Sequence, residues 1–565
     1  MIWTVLYASL ALADEFSHTY EVDEAVLIWF NKVAAWPVSF NSHSFSWIPL
    51  CSAESTHPLG VGEMVEGFAM QDSHMDVRFL REAKRRYLCS VPLSAASFSR
   101  LREAVQERFW MQLFVDNLPM WGPLGKVTAI DNSISVYSHF NFQFHYNNNQ
   151  LIQVLCKPED PVKLESADQS LNFSYSLTWL STSVPFEARL SIYSDPGFFP
   201  TFGHWLTAGN ATVMAMFVIF LVRVILGRLI VHQELLEYDQ SVLRTSGALA
   251  ADLAAFKQMA GEVFRPPSCL LLLTVCVSAG TQLLGVALSM LLLFLLYPMY
   301  IESGNLLSML IVVYSLFGLL GGLRCGSFYS QQGGRYWIAT LLISLLGVPL
   351  LVGGVVLSLH AFSPALPWLS PVEGRVFLSL GVPLHVGGAV IGRKCLADPK
   401  YPCKVNTWQP LLRYQKRWYQ QPSVLILLAG LPLFGITHMA VESLFWNVWE
   451  YKLYCVYGFG LIAFVMIVLI SGGTAIIITY YLLTVEDYRW PWVSFLGAGS
   501  SVGYMFVFIM NCLESRTQWS GGLEESVRFG YIGLACLCFF LVFGAVGHLA
   551  ASLFLRHVYT YLKRV

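Results

Sequence analysis

Apolar runs long enough to cross a membrane dominate the chain after residue 204, whereas the preceding residues alternate between apolar and polar positions. A membrane-crossing helix needs about 20 consecutive, mostly apolar residues. Nine stretches have this length, and they lie near 206–226, 269–297, 304–323, 336–361, 371–391, 422–442, 453–483, 492–513 and 527–555. The pattern predicts a polytopic α-helical membrane protein with nine spans in residues 205–565.

The region before these spans carries the pattern of β-strands. Residues 139–146 read HFNFQFHY, in which aromatic and polar residues alternate. This period of two predicts a half-buried strand. Three asparagines at 147–149 followed by LIQVLC predict a hairpin, and residues 171–180 alternate in the same way. Residues 99–113 are expected to form one short helix. Residues 14–204 are therefore predicted to be a mainly antiparallel β domain, built as a sandwich.

The first 13 residues have the pattern of a signal peptide. The apolar run from Ile2 to Leu12 is too short to span a bilayer, and Ala11-Leu12-Ala13 fits a small-x-small cleavage site. The run has no Lys or Arg before it, so a buried N-terminal strand is the alternative interpretation.

Composition and charge placement agree with a membrane protein of defined orientation. Of the 565 residues, 55% are hydrophobic and 13% are charged, against about 25% charged in soluble proteins. The net charge of −1 gives no electrostatic reason to expect nucleic acid as a partner. If the β domain is lumenal, the cytosolic segments carry 17 Lys and Arg residues and the lumenal loops 4. Because positive residues concentrate in cytosolic loops, we expect a lumenal N-terminus and a cytosolic C-terminus.

Lumenal chemistry is predicted at three positions. Asn172 begins an Asn-Phe-Ser sequon on the polar face of its strand, so a glycan is expected there. Cys51, Cys89 and Cys156 lie in the β domain, where disulfides persist. We favour the Cys51–Cys89 pair because each lies in or beside an ordered-looking apolar segment, although spacing alone does not fix the pairing.

No catalytic or metal site is evident in the sequence. It contains no zinc-ligand spacing, no nucleophile motif and no phosphate-binding loop, so neither an enzyme nor a cofactor is expected. His139 and His145 lie on one strand face about 20 Å apart. They are therefore interpreted as solvent-facing strand residues and not as metal ligands.

Polar residues within the predicted spans are the remaining candidates for chemistry, because hydrocarbon penalises them. Glu442, His385, His438 and His548 are the ionisable candidates. Together with Gln282 they would be the polar path of a small-molecule or ion transporter. The alternatives are that Glu442 reaches water at a span end and that Gln282 hydrogen-bonds neighbouring helices.

Glycines spaced four apart form ridges in three spans. Such ridges let helix backbones approach closely. They serve either packing within the bundle or contact with a span of another membrane protein, and the sequence does not separate the two uses. The residues are Gly318, Gly322 and Gly326 in the third span, Gly388 and Gly392 in the fifth, and Gly499 and Gly503 in the eighth.

A series of motifs along nearly the whole chain resembles the nonaspanin, or transmembrane nine, superfamily. The most specific are GEVFRPP at 261–267 and SAGTQL at 278–283. Others, in chain order, are YEVDEAVLIWFNKV at 20–33, IPLC at 48–51, FWMQLFVDNLPMWGPLGKV at 109–127, PFEARLSIYSDPGFFP at 185–200, VEDYRWPWVSF at 485–495 and SLFLRHVYTYLK at 552–563.

The resemblance implies a non-enzymatic protein of Golgi and endosomal membranes. Its implied role is the sorting, trafficking and surface localisation of other membrane proteins, particularly those with glycine-rich spans. It also implies that Arg265, Pro266 and Pro267 close the cytosolic loop before the second span, where prolines suit a helix start. Family members commonly end in Lys-x-Asp/Glu, similar to a signal for coat-protein machinery, whereas this chain ends in Lys563-Arg564-Val565. The segment 34–47 also departs from the family pattern.

Overall fold

The architecture comes from a computed structural model. It describes residues 19–35, 42–51, 71–115, 118–128, 133–166, 169–186, 189, 204–238, 256, 258–296, 303–362, 371–396, 401–403, 417–449, 453–516 and 522–562. The predicted signal peptide at 1–13 lies outside these residues.

Ten strands and one helix form the N-terminal sheet-rich domain in the described part of the chain. Their bounds are β1 Ile28–Ala35, β2 Ser42–Ser44, β3 Gln71–Asp72, β4 Ala83–Pro92, α1 Ala95–Gln106, β5 Phe109–Val115, β6 Leu118–Pro123, β7 Gly125–Val127, β8 Ile134–Asn147, β9 Gln150–Lys163 and β10 Ser170–Ser181. One sheet has the order β2-β1-β5-β6 with β3 also on β1, and the other β4-β10-β8-β7 with β9 also on β8. Side chains from both sheets meet in one apolar core.

The predicted hairpin and the mainly antiparallel pairing are confirmed, and the helix predicted over 99–113 is corrected. β8 and β9 pair antiparallel from Asn147–Gln150 onward. β10 pairs with β8 in parallel, and the other strand pairs of the described residues are antiparallel. The helix expected over 99–113 ends at Gln106, and Phe109 begins strand β5. That strand is almost wholly buried, so it lacks the polar alternation that would have marked it.

Nine helices among the described residues are long and apolar enough to cross a membrane, which confirms the predicted number of spans. The helical elements are α2 His204–Tyr238, α3 Leu270–Leu296, α4 Ser303–Gln331, α5 Trp337–Phe362, α6 Pro371–Val376, α7 Val382–Cys395, α8 Pro422–Trp449, α9 Leu453–Thr484, α10 Trp490–Arg516 and α11 Gly522–Leu562. A π-helical turn at Phe377–Gly381 joins α6 to α7, and these together are the fifth span.

The helices pack along several long contacts. α4 lies against α7 and α3, α10 lies between α8 and α11, and α9 contacts α2, α8 and α11. Large apolar side chains on the outer surfaces stay exposed, among them Leu350 at 68% and Leu357 at 56%. Lipid would cover these surfaces in a bilayer, as an apolar span requires.

Candidate functional site

Glycines of α4 and α7 form one interface in which the two backbones nearly touch. A Cβ on Gly322 would overlap the backbone oxygen of His385, and one on Gly326 would overlap the oxygen of Ala389. From the opposite helix, a Cβ on Gly388 or Gly392 would overlap backbone atoms of α4. The two predicted ridges are therefore the two sides of a single internal contact.

The other predicted glycines differ in their surroundings. A Cβ on Gly318 would lie 3.4 Å from the oxygen of Gly381, so this end of the ridge is looser and faces the π-helical turn. Gly499 packs against the Phe540 ring, where an added Cβ would lie 2.7 Å from a ring carbon. Gly503 is exposed and meets no atom within 4 Å. In the eighth-span ridge, Gly499 therefore packs within the bundle and Gly503 does not.

Gln282 belongs to a buried hydrogen-bonded cluster between α3, α4 and α5. Its Nε2 donates to the backbone oxygen of Tyr314 at 3.1 Å. Ser278, one turn earlier, donates to the oxygen of Gly321 at 2.7 Å and shares a hydrogen bond of 2.8 Å with Ser344. These contacts agree with the interpretation of Gln282 as a link between helices.

The candidate histidines lie at separate places. His385 is buried on α7 beside Gly318. His438 packs edge-on to Phe508, with ring centroids 4.2 Å apart. His548 is buried on α11 and stacks on Trp490 at 5.5 Å. The side chain of Glu442 lies outside the described residues.

A loop clasp, formed by residues 256 and 258–268 with Tyr401, Trp490, Trp492 and Tyr559, closes one end of the bundle. Trp490 Nε1 donates to the oxygen of Val263 and Trp492 Nε1 to that of Ser268, both at 2.7 Å. Phe264 stacks on Tyr401 with centroids 4.7 Å apart. Tyr559 donates to the oxygen of Phe256 at 3.0 Å. The GEVFRPP motif thus ties the loop to α10 and α11.

The three cap residues differ from expectation in one respect. Arg265 forms an ion pair of 2.8 Å with Glu262, and both side chains are largely buried. Pro266 and Pro267 lie in the non-helical approach, because α3 begins only at Leu270. The prolines therefore precede the helix and do not occupy its first turn.

In the sheet-rich domain, Cys51 and Cys89 form a disulfide with Cα atoms 6.0 Å apart. Asn172 is exposed on β10, opposite Ser90 of β4. Cys156 is a free thiol packed against Gly122, and burial raises its pKa to about 12. It is therefore a poor nucleophile at neutral pH.

His139 corrects the expectation of solvent-facing histidines. Its side chain is buried, and its ring nitrogens lie 2.8 Å from the Ser174 hydroxyl and 3.1 Å from the Ser176 hydroxyl. Both serines belong to β10, the parallel neighbour of β8 that the sequence pattern did not predict. No group of three potential metal-ligating side chains comes together within the described ranges.

Sequence reasoning missed two arginines. Arg324 on α4 and Arg556 on α11 both act electrostatically on Tyr401, whose pKa burial raises and the two guanidinium groups lower. The available signal was a charged residue several positions inside the end of an apolar helix. In the sequence both were counted only as cytosolic positive charges.

Comparison with known proteins gives a consistent result. A family model described as Endomembrane protein 70 matches residues 42–522. Transmembrane 9 superfamily member 4 of Arabidopsis thaliana is 26% identical, and the alignment covers 100% of this chain and 98% of that protein. Member 1 of Mus musculus is 27% identical over 96% of this chain and 94% of its own length. No solved structure matches the chain.

The matches extend over the sheet-rich domain and the helix bundle together, and the relatives have nearly the same length. The nine apolar helices that follow the sheets agree with them. The chain therefore belongs to the Endomembrane protein 70 family, the transmembrane nine or nonaspanin superfamily of multi-pass membrane proteins.

Proposed function

We propose that this protein is a non-enzymatic sorting factor of Golgi and endosomal membranes, which binds spans of other membrane proteins and directs their localisation. In this proposal the sheet-rich domain is lumenal and the C-terminus is cytosolic, as the distribution of Lys and Arg favours. An interaction with coat-protein machinery stays a prediction.

The observation that carries the proposal is an open glycine surface on α5. Gly353 and Gly354 are exposed and have no atom within 4 Å of an added Cβ. Leu350 and Leu357 project on either side, exposed at 68% and 56%. The glycines of the α4–α7 contact are already used within the protein. A partner span with small residues would approach the α5 backbone closely and gain van der Waals contact and weak hydrogen bonds there.

The test is proximity labelling of neighbouring membrane proteins in cells that express Gly354→Leu. We expect an unchanged melting temperature in detergent and a loss of labelled partners with glycine-rich spans. Gly435→Leu on α8 is the matched control, because this glycine is also exposed with no atom near it and belongs to none of the predicted ridges. Partner labelling that is unchanged in Gly354→Leu would contradict the proposed surface.

A transporter has less support. Gln282, His385 and His548 lie in separate contacts in the part of the chain that the structure describes. Gln282 is hydrogen-bonded to a backbone oxygen of α4, as a linking residue would be. Proton or ion flux by the purified protein in liposomes would favour the transporter.

A further inference from the structure

Two arginines from different helices lie together at the end of the bundle closed by the loop clasp. Arg324 lies seven residues, roughly 10 Å, before the last residue of α4. Arg556 lies six residues, roughly 9 Å, before the last residue of α11. Both are half-buried, repel each other and face Tyr401. We call them the arginine pair.

Two other arginines at this end have carboxylate partners. Arg265 pairs with Glu262 at 2.8 Å, and Arg489 pairs with Asp487 at 2.9 Å. Among the described residues, no carboxylate pairs with either member of the arginine pair. Two adjacent, half-buried positive charges without a counter-charge are unfavourable. The attraction of a negative ligand would offset both the repulsion and the desolvation penalty.

The hydrogen-bonding capacity of the arginine pair is also incompletely used. The Nε atoms of Arg324 and Arg556 are buried and have no hydrogen-bond partner within the described structure. Arg556 donates from Nη2 to Gln331 Oε1 at 3.0 Å, and it also interacts with the Tyr401 hydroxyl. Arg324 lies over the Phe328 ring, with its Cζ 5.6 Å from the centroid. Each guanidinium therefore has N–H groups left for an acceptor.

The polar neighbours can also face an anion. Gln332 Nε2 donates to the Tyr401 hydroxyl at 2.9 Å, which leaves Gln332 Oε1 buried without a partner in the described structure. The orientation of a side-chain amide is assigned from its hydrogen bonds, so the Gln332 oxygen and nitrogen can exchange places. With the amide rotated, Tyr401 donates to Oε1, and Nε2 becomes a further donor beside the arginine pair.

We propose that the arginine pair, with Gln332 and Tyr401, binds a phosphate group at the membrane interface. Two planar guanidinium forks match the oxygens of a phosphate better than two lysines would. The two sources of this chemistry are the headgroup of a phosphorylated lipid and a free phosphate-bearing anion. Basic pockets between spans on the cytosolic side are suited to anionic headgroups, and the proposed orientation places the pair on that side.

The experiment measures thermal stability and binding of the purified full-length protein in nanodiscs. One arm adds phosphatidylinositol 4-phosphate to a neutral bilayer, and the other adds inorganic phosphate to the same bilayer without that lipid. We expect a rise in melting temperature with at least one probe, because a ligand that binds only the folded protein stabilises it. A shift with the lipid alone assigns a headgroup, and a shift with inorganic phosphate assigns a free anion.

The variants are Arg324→Gln and Arg556→Gln, each expected to weaken binding by about tenfold or more because a charge-assisted fork is lost. Arg324→Lys keeps the charge but not the fork, so this variant should bind the probe with intermediate affinity. It replaces Arg324→Gln if that variant does not fold. The matched control is Arg393→Gln, which removes an exposed charge of α7 that lies over Trp337. The proposal is overturned if neither probe shifts the wild type, or if the arginine variants bind as well as Arg393→Gln does.

Discussion

Two neighbouring glycines on α7 differ sharply in how well they would tolerate one added methyl group. A Cβ on Gly388 would overlap the backbone oxygen of Leu319, whereas a Cβ on Gly387 would meet nothing within 4 Å. Sequence spacing predicted the ridge but could not say what it contacts, because the opposing helix is about 65 residues earlier in the chain.

Substitution of these two glycines by alanine should therefore have opposite effects. Gly388→Ala should lower stability by about 1–3 kcal/mol, because the overlapping atom is backbone and cannot rotate away. Gly387→Ala should be neutral or stabilising by up to about 1 kcal/mol, since alanine favours helix. Melting temperatures of the two variants in one detergent provide the measurement. An unchanged melting temperature in Gly388→Ala would show that α4 and α7 are not in close contact at this point.

The buried imidazole of His139 predicts a pH dependence in the sheet-rich domain. Burial lowers its pKa below the ordinary 6.5, and repulsion by Arg85 adds to this, while Asp160 and Glu159 oppose it. The folded state then binds the proton less well than the unfolded state does. The stabilising contribution is complete above pH 6.5 and is lost as the pH falls below that value toward the folded pKa.

We expect faster hydrogen exchange in β10 peptides at pH 5 than at pH 7.5, after correction for intrinsic rates, because protonated His139 no longer accepts from Ser174 or Ser176. His139→Asn removes the titration and should reduce the difference. His145, whose pKa burial also lowers, faces Lys157 and supplies the remainder. A full pH effect in His139→Asn would assign the dependence to another group.

Among the elements, the loop clasp shows which contacts the residues of the GEVFRPP motif make. Phe264 supplies a ring for Tyr401, and the oxygen of Val263 accepts from Trp490. Trp490 and Trp492 lie at the start of α10, more than 200 residues later in the chain. The sequence could indicate that GEVFRPP ends a cytosolic loop, but it could not show what the motif contacts.

Trp490→Phe should loosen this clasp. The variant keeps an aromatic ring against His548 and removes the only described donor to the buried oxygen of Val263. An acceptor left unpaired in that place costs about 1–3 kcal/mol. Hydrogen exchange of peptides from 258–268 should accelerate, while α4 peptides keep their protection. Trp492→Phe, at a less buried position, is the comparison and should have the smaller effect.

The elements that the sequence predicted well are those whose signal is local. Nine apolar runs became nine candidate spans, and the three asparagines at 147–149 became the turn of a hairpin. β5 was predicted as helix because a continuous buried run has no period. The parallel pairing of β8 and β10 joins residues 35 apart in the chain, and the contacts of His139 with Ser174 and Ser176 follow from it.

For the whole molecule, orientation decides what the proposed sites can meet. A lumenal sheet-rich domain is exposed to glycosyl transfer and an oxidising solution, which suits the exposed Asn172 and the Cys51–Cys89 disulfide. The same orientation puts the loop clasp and the arginine pair beside the cytosolic leaflet. One orientation is thus consistent with both the predicted glycan on Asn172 and the anionic headgroup proposed for the arginine pair.

Glycan mapping tests that topology in cells. Wild-type protein should show a mobility shift that an endoglycosidase removes, and Asn172→Gln should abolish it, because Asn172 is exposed on a strand that the proposed orientation places in the lumen. Asn210→Gln is the matched control: Asn210 also begins a sequon, but it lies within α2 at the start of the first span and should carry no glycan. Protease added to sealed vesicles should leave a tag in the sheet-rich domain intact and remove a tag at the C-terminus. The orientation would be reversed if the wild type carried no glycan and its sheet-rich domain were digested in sealed vesicles. The arginine pair would then face the lumenal leaflet, where a phosphorylated inositol lipid is not its expected ligand.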